Sequence, residues 1–277
     1  MIAPEYLLIG HVTRDETPDG PRPGGTVSYA GHAASAMGAR VAIVTSAHPD
    51  DPVLAGLPQN AQCQLITAPE TTVFVNTYEG DIRRQHLLGR AATLSVEDVP
   101  AAWRRARIVH LGPLDDEVDP ALVYAFPDAL VAVTPQGWMR AWDGDGLVSR
   151  KPWADADRLL PVAGVTIFSE DDIGRDSALE AHYASLSPLM IVTRAAKGCT
   201  VYRHGVAPLD IPAPAVPVVD ATGAGDVFAG VFLVMMGRTG DVIRAAEAAT
   251  YLASMSVTRP GLEGAPVEDE IRAALAR

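Results

Sequence analysis

Short apolar, β-branched runs alternate with alanine-rich helical patterns along most of this chain, and that alternation limits the fold more than any other feature. The runs at 6–9, 41–45, 108–111, 129–133, 165–168 and 190–193 read as strands. Between them, 25–37, 101–106, 120–126, 153–160 and 177–186 read as helices or helical turns. A strand, a helix and another strand in succession make a parallel pair, so the expected fold is α/β, built on a mostly parallel sheet. Several strands end at glycine or polar residues, as at Ile9-Gly10-His11, Val133-Thr134-Pro135-Gln136 and Phe168-Ser169-Glu170. Ligands of open α/β sheets sit beyond such carboxyl ends.

Two stretches break the alternation. Residues 72–78 and 82–88 flank Glu79-Gly80-Asp81 and read as a β-hairpin, part of a lid or an added sheet edge, with the edge preferred. A second hairpin is expected at 199–203 and 206–209. Near the C-terminus, 227–236, 241–257 and 267–275 read as helices, the first apolar almost all round and therefore buried. With 277 residues, 48% of them hydrophobic, one domain spanning 1–277 is expected. The formal net charge of -12 opposes nucleic acid and anionic membranes as partners. Cys63 and Cys199 lack metal-ligand spacing, so neither a disulfide framework nor a zinc site is expected. The first ten residues lack a basic signal-peptide start and no later apolar run reaches membrane length, so a cytoplasmic protein is expected.

The run from Val218 to Gly230, Val-Val-Asp-Ala-Thr-Gly-Ala-Gly-Asp-Val-Phe-Ala-Gly, carries the chemistry. A turn of small residues feeds a buried helix, so the N–H groups of Ala224 to Asp226 lie at a helix N-terminus without intrahelical acceptors. With the helix dipole they form a site for an anion such as a transferring phosphoryl group. Gly223 and Gly225 permit close backbone approach, and Asp226 sets a carboxylate beside the anion. Asp226 then suits a general base that takes the proton of an acceptor hydroxyl, or else a plain helix cap. Gly-x4-Gly-Lys-[Ser/Thr], a dinucleotide fingerprint, His-Glu-x-x-His and Gly-x-Ser-x-Gly are all absent from the sequence.

The run resembles the C-terminal signature of the pfkB carbohydrate kinases, Asp-Thr-x-Gly-Ala-Gly-Asp, with Ala221 at a variable position. The resemblance implies a ribokinase-like three-layer sandwich around a mostly parallel sheet, with a β lid, and it implies ATP and Mg2+ as cofactors. By the same resemblance Asp226 is the base, Gly223, Ala224 and Gly225 form the anion hole, and Asp220 and Thr222 lie near a monovalent-cation site such as one for K+. Gly10-His11-Val12-Thr13-Arg14-Asp15 is similar to the family's first strand and turn, which makes Asp15 a contact for substrate hydroxyls, and Gly24-Gly25 is similar to its Gly-Gly. Tyr29 stands where the family often has Asn. Ser169-Glu170-Asp171-Asp172 takes the place of Asn-x-x-Glu, with Asp172 implied as the magnesium-organising end. Thr193 to Gly198 resembles the nucleotide-side Thr-x-Gly-x-x-Gly, with Ala195 replacing a glycine. Ser256 to Gly261 resembles the loop beside the adenine, which implies nucleotide contacts at Thr258 and Gly261, and Thr250 stands where an Asn is frequent.

Only eight residues separate Asp15 from Gly24, too few for a long lid, so the lid is expected to be reduced or to come from 72–88. Thr71-Thr72-Val73-Phe74, Pro135-Gln136-Gly137-Trp138-x-Arg140 and Ser169-Glu170-Asp171-Asp172 are similar to the short inositol-kinase-like branch. Gln136 and Arg140 then reach acceptor hydroxyls or a phosphate. The implied acceptor is a sugar or cyclic polyol, with myo-inositol as the leading guess, on a monomer or homodimer. Two rivals stay open: a nucleoside kinase in which Tyr29 stacks on a base, and a ligand-binding protein that has lost transfer.

Overall fold

The computed structural model describes residues 3–79 and 82–276. Its strands are β1 (Tyr6–Ile9), β2 (Thr13–Thr17), β3 (Gly20–Gly24), β4 (Val41–Ala47), β5 (Gln62–Thr67), β6 (Thr72–Glu79), β7 (Ile82–Gly89) and β8 (Ile108–Leu111). They continue with β9 (Leu130–Val133), β10 (Arg140–Trp142), β11 (Val148–Arg150), β12 (Val165–Ser169), β13 (Leu189–Thr193), β14 (Cys199–Arg203) and β15 (Val206–Ile211). The helices are α1 (Thr26–Ala36), α2 (Ala156–Leu159), α3 (Ser177–Leu186), α4 (Ala224–Thr239), α5 (Val242–Ser256) and α6 (Glu268–Leu275).

A nine-stranded sheet runs in the order β15-β14-β13-β12-β9-β8-β1-β4-β5. It is parallel from β5 to β13, and the β14–β15 hairpin adds an antiparallel edge. Alternation along each strand divides the apolar side chains between two cores. Tyr6, Leu8, Ile43 and Ile191 face α1, α4 and α5, whereas Leu7, Ile9, Val44 and Val192 face Trp103, Phe126, Trp138, Trp153 and Tyr183. The result is an α/β sandwich with helices on both faces of its sheet.

The all-round apolar run became α4, buried from Val227 to Met235 between α1 and α5. Phe228 and Phe232 stack inside it with ring centroids 6.1 Å apart. On the other face the expected helical segments shrink. Residues 101–106 and 120–126 hold only the 3-10 turns Trp103–Arg105 and Pro120–Tyr124, and 153–160 holds the single turn of α2. Prolines at 100, 120 and 127 restrict the first two, since proline supplies no N–H to continue a helix.

The hairpin at 72–88 is not an edge of the large sheet, which corrects the preferred sequence reading. It forms β6 and β7 of a separate four-stranded sheet ordered β3-β2-β6-β7. Its turn residues Gly80 and Asp81 lie outside the described residues. The stretch between Asp15 and Gly24, expected to be too short for a long lid, supplies the other hairpin. Pro21 and Pro23 sit on β3, an edge strand, where a missing N–H leaves no ladder position empty. Phe74 and Leu87 of the small sheet pack on Leu114 from the loop beyond β8 and tie it to the body.

Gly198 closes the turn between β13 and β14 at φ 96°, and a side chain there would overlap the carbonyl oxygen of Ile211. Positive φ and the clash together make Gly198→Ala expected to lower stability by about 3 kcal/mol. Urea unfolding measures it, and a loss under about 1 kcal/mol would show that the turn relaxes freely. Among the described residues no helix is long and apolar enough to cross a membrane.

Candidate active site

Helix α4 starts at Ala224 because Gly223 before it adopts φ 75° and ψ 0°, a left-handed conformation open to glycine. A side chain at Gly223 would also overlap the ring of Tyr29, so ring and turn are packed together. The Ala224 N–H closes back on the Ala221 carbonyl at 3.3 Å, and the Val227 N–H donates to the Gly223 carbonyl at 2.8 Å. Among the described hydrogen bonds, the Gly225 and Asp226 amides are given no acceptor. A Cβ on Gly225 would meet nothing within 4 Å, so the turn opens toward free space. The candidate anion site therefore narrows from three amides to two, at the positive end of a 16-residue helix.

Asp226 stands in the first turn of α4, partly buried. Burial pushes its carboxyl up to about 6, with Asp172 and Asp15 acting in the same direction, against a Thr26 hydrogen bond and the Arg140 guanidinium. A carboxyl tuned toward neutrality can take a proton and release it again, which a general base requires.

The residues that perturb Asp226 come from four other segments. Asp15 lies on β2, held by the Thr13 hydroxyl at 3.0 Å. Gly24 passes so close that a Cβ would sit 2.5 Å from the Asp15 carboxylate. Gly25, at φ 89°, would overlap the His11 carbonyl if it carried a side chain, and it caps α1 so that Thr26 opens the helix facing Asp226. Gln136, in the turn after β9, donates to Asp172 at 2.9 Å, and the Ser169 N–H holds the other Asp172 oxygen at 2.9 Å. Arg140 donates to the Leu114 carbonyl at 3.3 Å and lies 5.8 Å from the centre of the Phe74 ring. Asp15, Gln136, Arg140, Asp172 and Asp226 thus gather beyond the carboxyl ends of the strands. Trp138 instead stacks on Trp153 in the core.

A second group lies on the other side of the turn. Asp220 accepts from the Thr222 and Gly261 amides, both at 2.9 Å. Burial works to raise its carboxyl, yet these bonds prevail and hold it below the usual range. Thr258 turns back to the Met255 carbonyl at 2.7 Å, and Gly261 adopts φ 49°. Thr193 lies 3.5 Å from the Phe168 carbonyl and Gly198 is required by its hairpin, so strand geometry alone accounts for both. Ala195 adopts φ 49°, although it is not glycine. Arg194 is fastened to Glu180 and Glu170, so Asp172 is the acid of that cluster which faces Asp226.

A cavity of about 570 Å³ opens between the small sheet and the C-terminal loop, lined by Asp15, Arg22, Tyr29, Asn76, Asp220 and Gly261. Sequence reasoning gave no role to Thr26, Arg22 or Asn76. A small polar residue directly after Gly24-Gly25 was the available signal for Thr26. Nothing local marked the other two, because β2, β3 and β6 meet only in the folded sheet.

Residues 163–269 match the model of the pfkB family carbohydrate kinases, a span that includes Asp172, the α4 turn and Gly261. That match covers 107 of the chain's 277 residues. The chain is 36% identical over 93 residues to a probable fructokinase-5 of Arabidopsis thaliana, covering 33% of this chain and 28% of that relative's length. It is 25% identical over 255 residues to a cytidine kinase of Thermococcus kodakarensis, covering 84% and 89% of the two chains. In structure it is similar to a pyrophosphate-dependent ribokinase-family kinase complexed with a pyrophosphate analogue and myo-inositol (TM-score 0.80, 19% identity, 97% and 99% covered). It is also similar to the Arabidopsis thaliana ribokinase with ribose and ATP (TM-score 0.78, 18% identity, both chains fully covered). At those identities the structural likeness establishes the fold.

The site residues fit the two groups that the resemblance implies. Two unengaged amides at a helix N-terminus suit a phosphate. Asp172 offers hard carboxylate oxygens, oriented by Gln136 and Ser169 with lone pairs to spare, which suits Mg2+.

Proposed function

We propose that this chain transfers the γ-phosphoryl group of ATP to a hydroxyl of a small sugar or cyclic polyol, with myo-inositol the leading acceptor, as a cytoplasmic monomer or homodimer. The observation that carries the reading is Asp226. It sits beside two open amides at the start of α4, its carboxyl raised to about 6, with Asp15 acting on it from the small sheet.

In this mechanism Asp15 accepts hydrogen bonds from acceptor hydroxyls and Arg140 and Gln136 fix its orientation. Asp226 takes the proton of the attacking hydroxyl while that oxygen bonds to phosphorus and the bond to the departing nucleoside diphosphate oxygen breaks. The Gly225 and Asp226 amides stabilise charge on the phosphoryl oxygens. Mg2+, held through Asp172, would neutralise phosphate charge when bound. Thr193, Gly198, Thr222, Thr258 and Gly261 belong to the donor side, and Asp220 with Thr222 to a K+ site. The small sheet acts as the lid that excludes water.

A second reading has a specific basis. The long match to a cytidine kinase and the aromatic Tyr29 in the cavity wall favour a nucleoside acceptor. Inositols, hexoses, pentoses and nucleosides, each offered with Mg2+ and either ATP or pyrophosphate, separate the readings by product formation. Turnover of a polyol or sugar with ATP is expected. Exclusive nucleoside turnover overturns the polyol, exclusive use of pyrophosphate overturns the donor, and ligand binding without any transfer overturns the kinase.

A further inference from the structure

Away from Asp226, three buried groups gather at the root of the small sheet: His11, Asp115 and Glu117, with ligand-bearing atoms within 4.8 Å of one another. His11 lies in the short link between β1 and β2, where the chain leaves the large sheet for the small one. Its Nε2 is 2.8 Å from the Ala92 carbonyl just beyond β7. A carbonyl only accepts, so Nε2 carries a hydrogen. Its Nδ1 is 2.7 Å from the Thr72 hydroxyl at the start of β6 and 3.3 Å from Asp115 Oδ1. One imidazole therefore joins three of the segments that cross between the sheets.

The protonation of Nδ1 follows from the buried charge of Asp115. The Thr72 hydroxyl already accepts the Ala91 N–H at 3.0 Å. If Nδ1 were bare, Thr72 would donate to it, and Asp115 Oδ1 would face a lone pair in a fully buried site. That oxygen has no hydrogen-bond partner by strict geometry. A hydrogen on Nδ1 can be accepted by Thr72 and sets a positive charge 3.3 Å from Asp115 Oδ1, which removes the conflict at Asp115. The other groups around the ring agree. Arg90 holds the second Asp115 oxygen at 3.1 Å and the Asp115 carbonyl at 2.7 Å, and its guanidinium lies 4.4 Å from the centre of the Trp142 ring. Glu117 accepts the His11 amide at 3.1 Å and the Leu114 and Asp115 amides at 2.8 and 2.9 Å.

We propose that His11 is a positioning residue, whose imidazolium, latched between Asp115 and Thr72, sets the pose in which the small sheet carries Asp15 over the acceptor. The inference rests on the reading of Asp15 as the acceptor-holding carboxylate. Asp15 is four residues beyond His11, and the His11 carbonyl is the atom against which Gly25 packs, so the latch fixes both margins of the acceptor site. Burial alone would lower the His11 proton affinity, yet Glu117 and Asp115 prevail and raise it, so the ring stays charged above its ordinary range. Glu117, pushed up to about 7 by burial, gains negative charge over the same rise in pH. That charge supports the imidazolium, so the latch weakens only where the ring itself loses its proton, toward alkaline pH.

Steady-state kinetics across pH test this in the wild type, His11→Gln and Asp115→Asn. The wild-type acceptor KM is expected to rise by about tenfold or more through the alkaline limb, the loss of one charged hydrogen bond. Donor KM and the acid limb of Asp226 should not move with it. Both variants should show a high acceptor KM independent of pH. An alkaline limb that survives in both variants overturns the proposal. Long-range ¹H–¹⁵N spectra of the wild-type imidazole read the latch without turnover, so they decide it even if no acceptor is phosphorylated or a variant fails to fold. Two N–H hydrogens on His11 at pH 7 support it, and a neutral ring overturns it.

Discussion

Asp226→Asn is expected to lower kcat by about a thousandfold while leaving nucleotide binding within a few fold, since a positioned base contributes that order of rate and Asn keeps the shape. The same substitution should remove the acid limb of the pH profile. Base catalysis needs the ionised carboxylate, so wild-type kcat/KM should fall tenfold per unit below about pH 6, where burial has placed this group. Stability should move the opposite way. A carboxyl raised from 3.8 to about 6 holds its proton more tightly when folded. Its stabilisation is therefore present below the ordinary value and lost as pH climbs through 6. Asn has no charge to bury, so the variant should be about 1–3 kcal/mol more stable at pH 7.5, as read by urea unfolding. A variant that is inactive and less stable would place Asp226 among structural caps.

The second large effect is expected at the turn itself. Gly223→Ala forces a Cβ into the left-handed region and into the Tyr29 ring, so the first turn of α4 must shift. Two amides aimed at one phosphoryl group lose alignment with small movements, and loss of one such donor costs about a hundredfold in kcat. Gly225→Ala tests the other half of the geometry. Its Cβ meets open space, so folding should be unaffected while donor KM rises, because that space is where the phosphates would lie. Equal kinetics in both variants would show that the turn binds no anion.

These residues were legible in the sequence because their signal is local. A glycine turn running into an all-apolar helix needs no distant partner to be recognised, and the parallel strands announced themselves through apolar runs that must be buried on both faces. Asp15 and Gly24 were picked out by the family resemblance and not by the hairpin across which they meet. The small sheet was not legible. β2 is Thr-Arg-Asp-Glu-Thr and β3 is Gly-Pro-Arg-Pro-Gly, with no apolar alternation, and the pairing of β2 with β6 spans more than fifty residues. β5, Gln62–Thr67, escaped for the same lack of alternation. The latch at His11 was further out of reach, because Asp115 and Glu117 are about a hundred residues away and reach it only through the neighbouring strands β1 and β8.

Ala195 shows how a motif can fade in letters and persist in form. The residue replaces a glycine of the nucleotide-side pattern, yet its backbone still takes the positive φ that glycine would adopt without strain. Backbone N–H directions depend on dihedral angles and not on the side chain that bears them. The loop therefore carries a strain of roughly 1 kcal/mol that a single reversion to glycine would release. A pattern search grades such a position as lost, while the backbone keeps the dihedral angle that a glycine would take there.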